Sequence, residues 1–363
     1  MIVAAEKLCE ALKLAKALVP RQVSREICRY ARLTAEGEEA ELRYTNFGVW
    51  FTMSLPVEVQ QKQREDMVVP IEPLIKIAQL ADRLSIEQKR ESLAVESSSG
   101  ARYKLMAPQA LEYPTSEDYD GSFATGPTAR DFLKGLTRAK FCTRQDAIRR
   151  LDFVCIDLTE RTIAFRATDG HRLAEHLIED ADFEFKRKQW LLPAISFGFL
   201  TQSCKLFLND RVSFGLDNDD AIYLDIGPLS CRILEVEARF PKVSPPAGDP
   251  AIEFIRQAGD LKTSLRQLAP CVDGDLQFLE ILFNDGKISL KAEDRAIGAA
   301  QLTLGHNGHF TRKKLVVAWH LLNEIVTAFE DDEQITITIW GEHEPIRIAS
   351  DETNYLLMPI VRA

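Results

Sequence analysis

The chain has 363 residues, of which 45% are hydrophobic and 28% charged, and its formal net charge is −10. That length exceeds what one ordinary core supports and calls for two or three domains, while the hydrophobic share is that of a folded globular protein and excludes general disorder. A net acidic chain cannot hold nucleic acid by its overall charge, so any such contact must come from a local basic surface.

No apolar run is long enough to span a bilayer, so no membrane partner is expected. The start, Met1-Ile2-Val3-Ala4-Ala5-Glu6-Lys7, lacks the long apolar core of a signal peptide. Seven cysteines are scattered without a CxxC pair. They read as buried thiols in a reducing cytoplasm.

In chain order, residues 6–18 are apolar at three- and four-residue spacing and read as a helix. It carries Lys7, Lys13 and Lys16 and is followed by Arg21 and Arg25. After Thr45-Asn46, Met67-Val68-Val69-Pro70 opens a second helical pattern through Leu74, Ile75, Ile77, Ala78 and Leu80. Proline suits a first helical turn because its missing N–H had no partner there anyway. Tyr113-Pro114 closes this stretch, and 116–128, rich in Ser, Gly, Thr, Asp and Pro, reads as a linker.

The pattern then repeats. A helix is expected over 128–141, carrying Arg130, Lys134, Arg138 and Lys140, with Arg144, Arg149 and Arg150 beyond it. Strands are expected at 151–157 and 163–167, followed by a Thr168-Asp169-Gly170 turn. Trp190-Leu191-Leu192-Pro193 opens a helix through Ile195, Phe197, Phe199 and Leu200, and Phe240-Pro241 closes the stretch before a linker at 244–250. A third copy has a helix over 254–268 with Arg256, Lys262 and Arg266, and a strand at 276–283. Glu293-Asp294 follows at a depth equivalent to Thr45-Asn46 and Thr168-Asp169, then a helical segment over 310–329 opening near Arg312-Lys313-Lys314, a strand at 335–340, and the close at Tyr355 to Pro359. The start signals recur about every 120 residues, which is the mark of an internal repeat. The expected division is therefore 1–122, 123–244 and 245–363, each an α+β unit with two helices packed on antiparallel sheets.

Basic residues recur on equivalent helices, while acid concentrates elsewhere, as at 179–184, 217–225 and 330–333. Equivalent helices of a closed array line one surface, and a positive lining attracts phosphates without reading bases. Motifs for chemistry are sparse. There is no GxxxxGK[ST], GxGxxG, HExxH or Gly-x-Ser-x-Gly. His306 and His309 have a ligand-like interval but no nearby cysteine or paired acids. Neither a cofactor nor a metal is expected, and a hydrolase built on Asp169 and His171 is the weakest reading, because no activated nucleophile accompanies them.

The stretch Ala167-Thr168-Asp169-Gly170-His171-Arg172-Leu173-Ala174, with Ala238-Arg239-Phe240-Pro241 and Tyr355-Leu356-Leu357-Met358-Pro359-Ile360, resembles the signature segments of the bacterial sliding clamp family, the beta subunits of DNA polymerase III. The resemblance covers the whole chain. It implies three clamp domains per protomer, a head-to-tail homodimer closing a six-domain ring around double-stranded DNA, and no enzymatic activity. It also implies a groove between the second and third domains for short linear motifs of the polymerase III catalytic subunit, the clamp loader and repair polymerases. Carried over by position, that groove is Leu151, Thr168, Gly170, His171, Arg172, Leu173, Pro241, Lys242, Val243, Leu356, Leu357, Met358, Pro359 and Ile360, and the DNA-facing residues are Arg21, Arg138, Gln145, Arg149 and Arg150. Leu, Met and Pro give such a groove an adaptable apolar floor.

The chain departs from the family pattern in three places. Thr45-Asn46-Phe47 stands where an acidic pair is usual, the loop after Pro241 is short, and Arg149-Arg150 replace residues that are sometimes aromatic. These mark a divergent member. The implied location is cytoplasmic, at the nucleoid. The alternative is a repeat-built DNA-associated adaptor that uses the same groove without closing a ring.

Overall fold

The computed structural model describes residues 1–361 except 23, 110–112, 116–118, 145–150, 181–182, 184–186, 217–220, 273–277, 285, 295 and 306–311, with backbone alone at 58–63. Six α-helices lie among the described residues: α1 (Ala5–Leu18), α2 (Ile71–Ala78), α3 (Ala129–Lys140), α4 (Phe197–Leu206), α5 (Ala258–Leu268) and α6 (Trp319–Thr327). A pair of helices thus recurs three times, spaced as the sequence repeat requires. By contacts, the chain forms two compact units.

The first unit holds residues 1–136, 158–162 and 180–237. Its ten-stranded antiparallel sheet runs from Arg102–Met106 through Ser92–Ser97, Arg83–Lys89, Ile2–Ala4 and Val49–Pro70. It continues through Leu229–Leu234, Ala221–Ile226 and Arg211–Gly215 to Phe123–Thr128, with Tyr30–Thr45 paired along Val49–Pro70. α1 packs against α2 and α4. Its face of Leu8, Leu12, Ala15 and Leu18 is buried, because those positions return to one side of a helix. The opposite face carries Lys7, Lys13 and Lys16.

The second unit holds 137–157, 163–179 and 238–363. One of its sheets runs Phe153–Leu158, Thr162–Thr168, Arg172–Glu179, Thr353–Leu357, Ile346–Ala349, Gln334–Ile339 and Ile252–Gln257. Here the C-terminal strand is drawn beside the mid-chain hairpin, with Arg172 opposite Leu357 and His176 opposite Thr353. A second sheet is ordered Gly298–Gly305, Lys287–Asp294, Phe278–Asn284, Lys313–Ala318. α5 packs on α6.

Three expectations need correction. The 254–268 helix is the strand Ile252–Gln257 followed by α5, and the segment after 310 is the strand Lys313–Ala318 followed by α6. In both places strand alternation runs into a helical pattern, and the combined spacing passes for one helix. The supposed linker 116–128 ends in the strand Phe123–Thr128, paired with Arg211–Gly215. Gly126 is there for close packing rather than flexibility, since a Cβ would lie 2.4 Å from the Phe214 ring and 2.8 Å from the Val212 carbonyl.

Candidate functional site

The same turn recurs in each repeat. Asn46 Oδ1 accepts from Gly48 N and Val49 N at 3.0 and 2.8 Å. Asp169 Oδ1 accepts from His171 N and Arg172 N, both at 2.9 Å, and Asp294 Oδ1 accepts from Ala296 N and Ile297 N at 2.7 and 3.0 Å. Asn and Asp suit this role because the short side chain reaches the backbone two residues on. Thr45 and Thr168 add a second bond, Oγ1 accepting from Phe47 N at 2.8 Å and from Gly170 N at 3.1 Å.

Among the described residues of these turns, only the middle one adds a buried charge. Arg172 Nε donates to Asp169 Oδ2 at 3.0 Å, Nη2 donates to the Phe141 carbonyl at 2.9 Å, and Nη1 lies 2.6 Å from Glu324 Oε2 on α6. The guanidinium carbon also sits 5.0 Å from the centroid of the Phe141 ring. These partners replace the water that a buried cation loses. Burial pushes the neighbouring Cys142 thiol up, so it stays protonated beside Arg172.

On this framework opens a cavity of about 520 Å³, lined by Leu151, Thr168, Gly170, His171, Arg172, Leu173, Arg239, Pro241, Val243, Pro345, Leu356 and Met358. All twelve belong to the second unit. Its two sides are tied where Met358 N donates to the His171 carbonyl at 2.8 Å. Val243 and Met358 stay 47% and 42% exposed, which leaves apolar surface for an incoming side chain.

Ten of the fourteen residues expected to form a groove line this cavity. Leu357 does not. It is fully buried, because neighbours on a strand face opposite ways and Leu356 takes the cavity side. Lys242, Pro359 and Ile360 are also outside the lining, and Ile360 N instead bonds the Val316 carbonyl at 2.7 Å. Arg239 and Pro345 line the cavity without having been singled out as site residues. Arg239 lay inside a named segment, whereas nothing in the sequence around Pro345 connects it with a turn so far away.

Of the basic residues, Arg21 is exposed, as are Lys13, Lys16, Arg130, Lys134 and Arg266. Gln145, Arg149 and Arg150 lie outside the described residues, as do His306 and His309. Arg138 must be withdrawn from the outward-facing set. It is 3% exposed, donates from Nη2 to Glu333 Oε2 at 2.8 Å, and stacks on Phe329 at 5.1 Å. Lys262 is buried too, with Nζ 2.6 Å from both the Phe329 carbonyl and Asp331 Oδ1. In the sequence both look solvent-facing, because their acceptors are far away along the chain.

Repeated helix pairs on antiparallel sheets, with an apolar groove where the C-terminal strand meets the mid-chain hairpin, define the sliding-clamp class of fold. Among curated proteins, the chain is similar to the beta sliding clamp of Pseudomonas putida, 23% identical over 369 aligned positions and covering 98% of each. Among solved structures it is similar to the DnaN sliding clamp (DNA polymerase III subunit beta) from Pseudomonas aeruginosa bound to griselimycin. That pair has a TM-score of 0.89 and 19% identity over 100% of this chain and 99% of the other. The DNA polymerase III beta subunit from Thermotoga maritima likewise gives a TM-score of 0.89, at 14% identity and the same coverage. No family model matches. The fold is that of the DNA polymerase III beta subunit, in a divergent sequence.

Proposed function

We propose that this chain is a DNA sliding clamp, a processivity factor that encircles duplex DNA and tethers the replicative polymerase and other replication proteins through its groove. The observation that carries the reading is the convergence of the 168–173 turn, the 239–243 segment and the 356–358 tail on one apolar cavity, within a fold that matches clamps over the whole chain. The activity is tethering and not catalysis. A tether raises the local concentration of a polymerase at its template without touching the reaction. The three-domain division at 122 and 244 belongs to the same proposal, as do residence in the cytoplasm at the nucleoid and docking by the clamp loader and repair polymerases.

Two strand edges support the proposed ring closure. Arg102–Met106 ends the sheet of the first unit, and Gly298–Gly305 ends the small sheet of the second. Neither has a single buried residue, whereas the other edge strands each bury at least two. Exposed edges of this kind invite pairing. The edges belong to different units, so joining one to the other between copies is head-to-tail, and such contacts form a ring when the rotation closes. Exposed cations on α1, α3 and α5, with Arg21, Arg149 and Arg150, are the proposed DNA-facing set.

Binding of a short Gln/Leu-type clamp-binding peptide tests the groove. Met358→Ala is expected to weaken it about tenfold, the loss from truncating one anchoring side chain. Deleting 358–363 is expected to abolish binding while the oligomer persists, and an unchanged affinity after that deletion would remove the groove assignment.

A further inference from the structure

A second cavity, of about 370 Å³, lies in the first unit on the outward face of its large sheet. Its floor is two rows of cross-strand neighbours. In one row Arg43 faces Thr52, Thr52 faces Ser230, and Ser230 faces Asp225; in the other Trp50 faces Arg232, which faces Tyr223. Residues two apart on a strand point the same way, so both rows look into the same space.

The wall is aromatic. Tyr119 stacks on Tyr223 with centroids 4.4 Å apart and meets Phe123 edge-on at 4.9 Å. Its ring lies directly on the backbone at Gly215, where a Cβ would come within 2.7 Å of it. Its hydroxyl donates to the Ser122 carbonyl at 3.0 Å. Tyr119 is therefore seated as a wall rather than trailing in solvent.

The charges divide into satisfied and unsatisfied. Arg43 is held by Glu41, Nη2 to Oε2 at 2.8 Å. Arg232 covers one face of Trp50 at 4.8 Å, yet its buried Nε has no acceptor among the described residues. Across the same floor the Asp225 carboxyl is half-buried and bonds the Ser230 hydroxyl. Burial pushes it up from its ordinary value against the lowering effect of the Ser230 hydrogen bond, and among the described residues no ion pair involves it.

What fits must accept from Arg232 and donate to Asp225. A carboxylate or phosphate only accepts, and a guanidinium or ammonium only donates. A planar heterocycle with both kinds of edge does both and lies flat against aromatic rings. We propose that this cavity is a binding site for a nucleobase, held against its aromatic lining with a donor edge on Asp225 and an acceptor edge on Arg232. The volume suits one nucleoside, and stacking of bases on sheet aromatics is an established mode of single-strand recognition. The site does not depend on ring closure or on the groove.

The test is calorimetric titration of the full chain with each of the four common nucleoside monophosphates, and separately with a short single-stranded oligonucleotide. Saturable one-site binding of a monophosphate is expected if the source is a free nucleotide. Binding of the oligonucleotide alone would point to a single strand. In either case Asp225→Asn and Tyr119→Ala should each weaken binding by about tenfold, with clamp-peptide affinity unchanged. Should Asp225→Asn fail to fold, Tyr119→Ala, whose residue lies outside the sheet strands, carries the test. Binding of neither probe overturns the proposal. So does binding that survives both substitutions and falls steeply with salt, which would place the nucleotide on basic helices. Preferential binding of an aromatic peptide amide would overturn it in favour of a protein partner.

Discussion

Arg138 and Glu333 form a largely buried ion pair, Nη2 to Oε2 at 2.8 Å, between the end of α3 and the approach to the strand Gln334–Ile339. The Arg138 carbonyl accepts from the Tyr355 hydroxyl at 2.9 Å, so one residue binds both an acid and the C-terminal strand that builds the groove. Arg138→Ala should destabilise the protein by roughly 1–3 kcal/mol in urea unfolding. DNA affinity and its salt slope should not change. Unaltered stability together with a lost phosphate contact would return Arg138 to the DNA-facing set.

The same pair sets an acid limit. Burial alone would push the Glu333 carboxyl up, but hydrogen bonds from Arg138, Ser350 and the Glu330 N–H hold it below its usual range. A carboxyl lowered in the folded state gives stability that is present above the unfolded value, about 4.3, and lost as pH falls through the folded one. Wild type should therefore lose stability more steeply than Arg138→Ala below about pH 4. Parallel pH profiles would contradict this.

The three turns separate two roles of one side chain. Asn46 shows that an amide closes the turn as well as a carboxylate. Asp169→Asn should thus keep the turn and lose the charge on Arg172, whereas Asp169→Ala loses both. Peptide affinity should fall modestly in the first and by about tenfold or more in the second. Equal losses would show that the charge and not the turn shapes the groove.

Much of this was legible in the sequence for a physical reason. Helix pairs and turns are local, and the apolar spacing of α1 and the Asp169-Gly170 dipeptide state their structure within a few residues. The groove was legible through the resemblance, because its segments keep their wording although they lie far apart. What stayed hidden was non-local. Arg138 and Lys262 looked like surface charges because Glu333, Asp331 and Phe329 are distant in the chain. Leu357 was grouped with its neighbours because only the pairing with Arg172–Glu179 decides which side of the strand faces the cavity. Asp225 and Arg232 were silent until two strands set them on one floor.

The strand edges make the oligomer testable by one charge. Leu105, half-buried on the edge strand Arg102–Met106, would be covered on pairing with a second copy. Leu105→Asp should convert a dimer to a monomer by light scattering while leaving the melting temperature of the protomer within a few degrees. A dimer that survives the substitution would move the interface to another edge.

The central claim is tested most directly by imaging the purified particle in negative stain. A closed ring of six similar lobes around a hole wide enough for duplex DNA is the expected result. An open arc, or a solid particle with no hole, would contradict it.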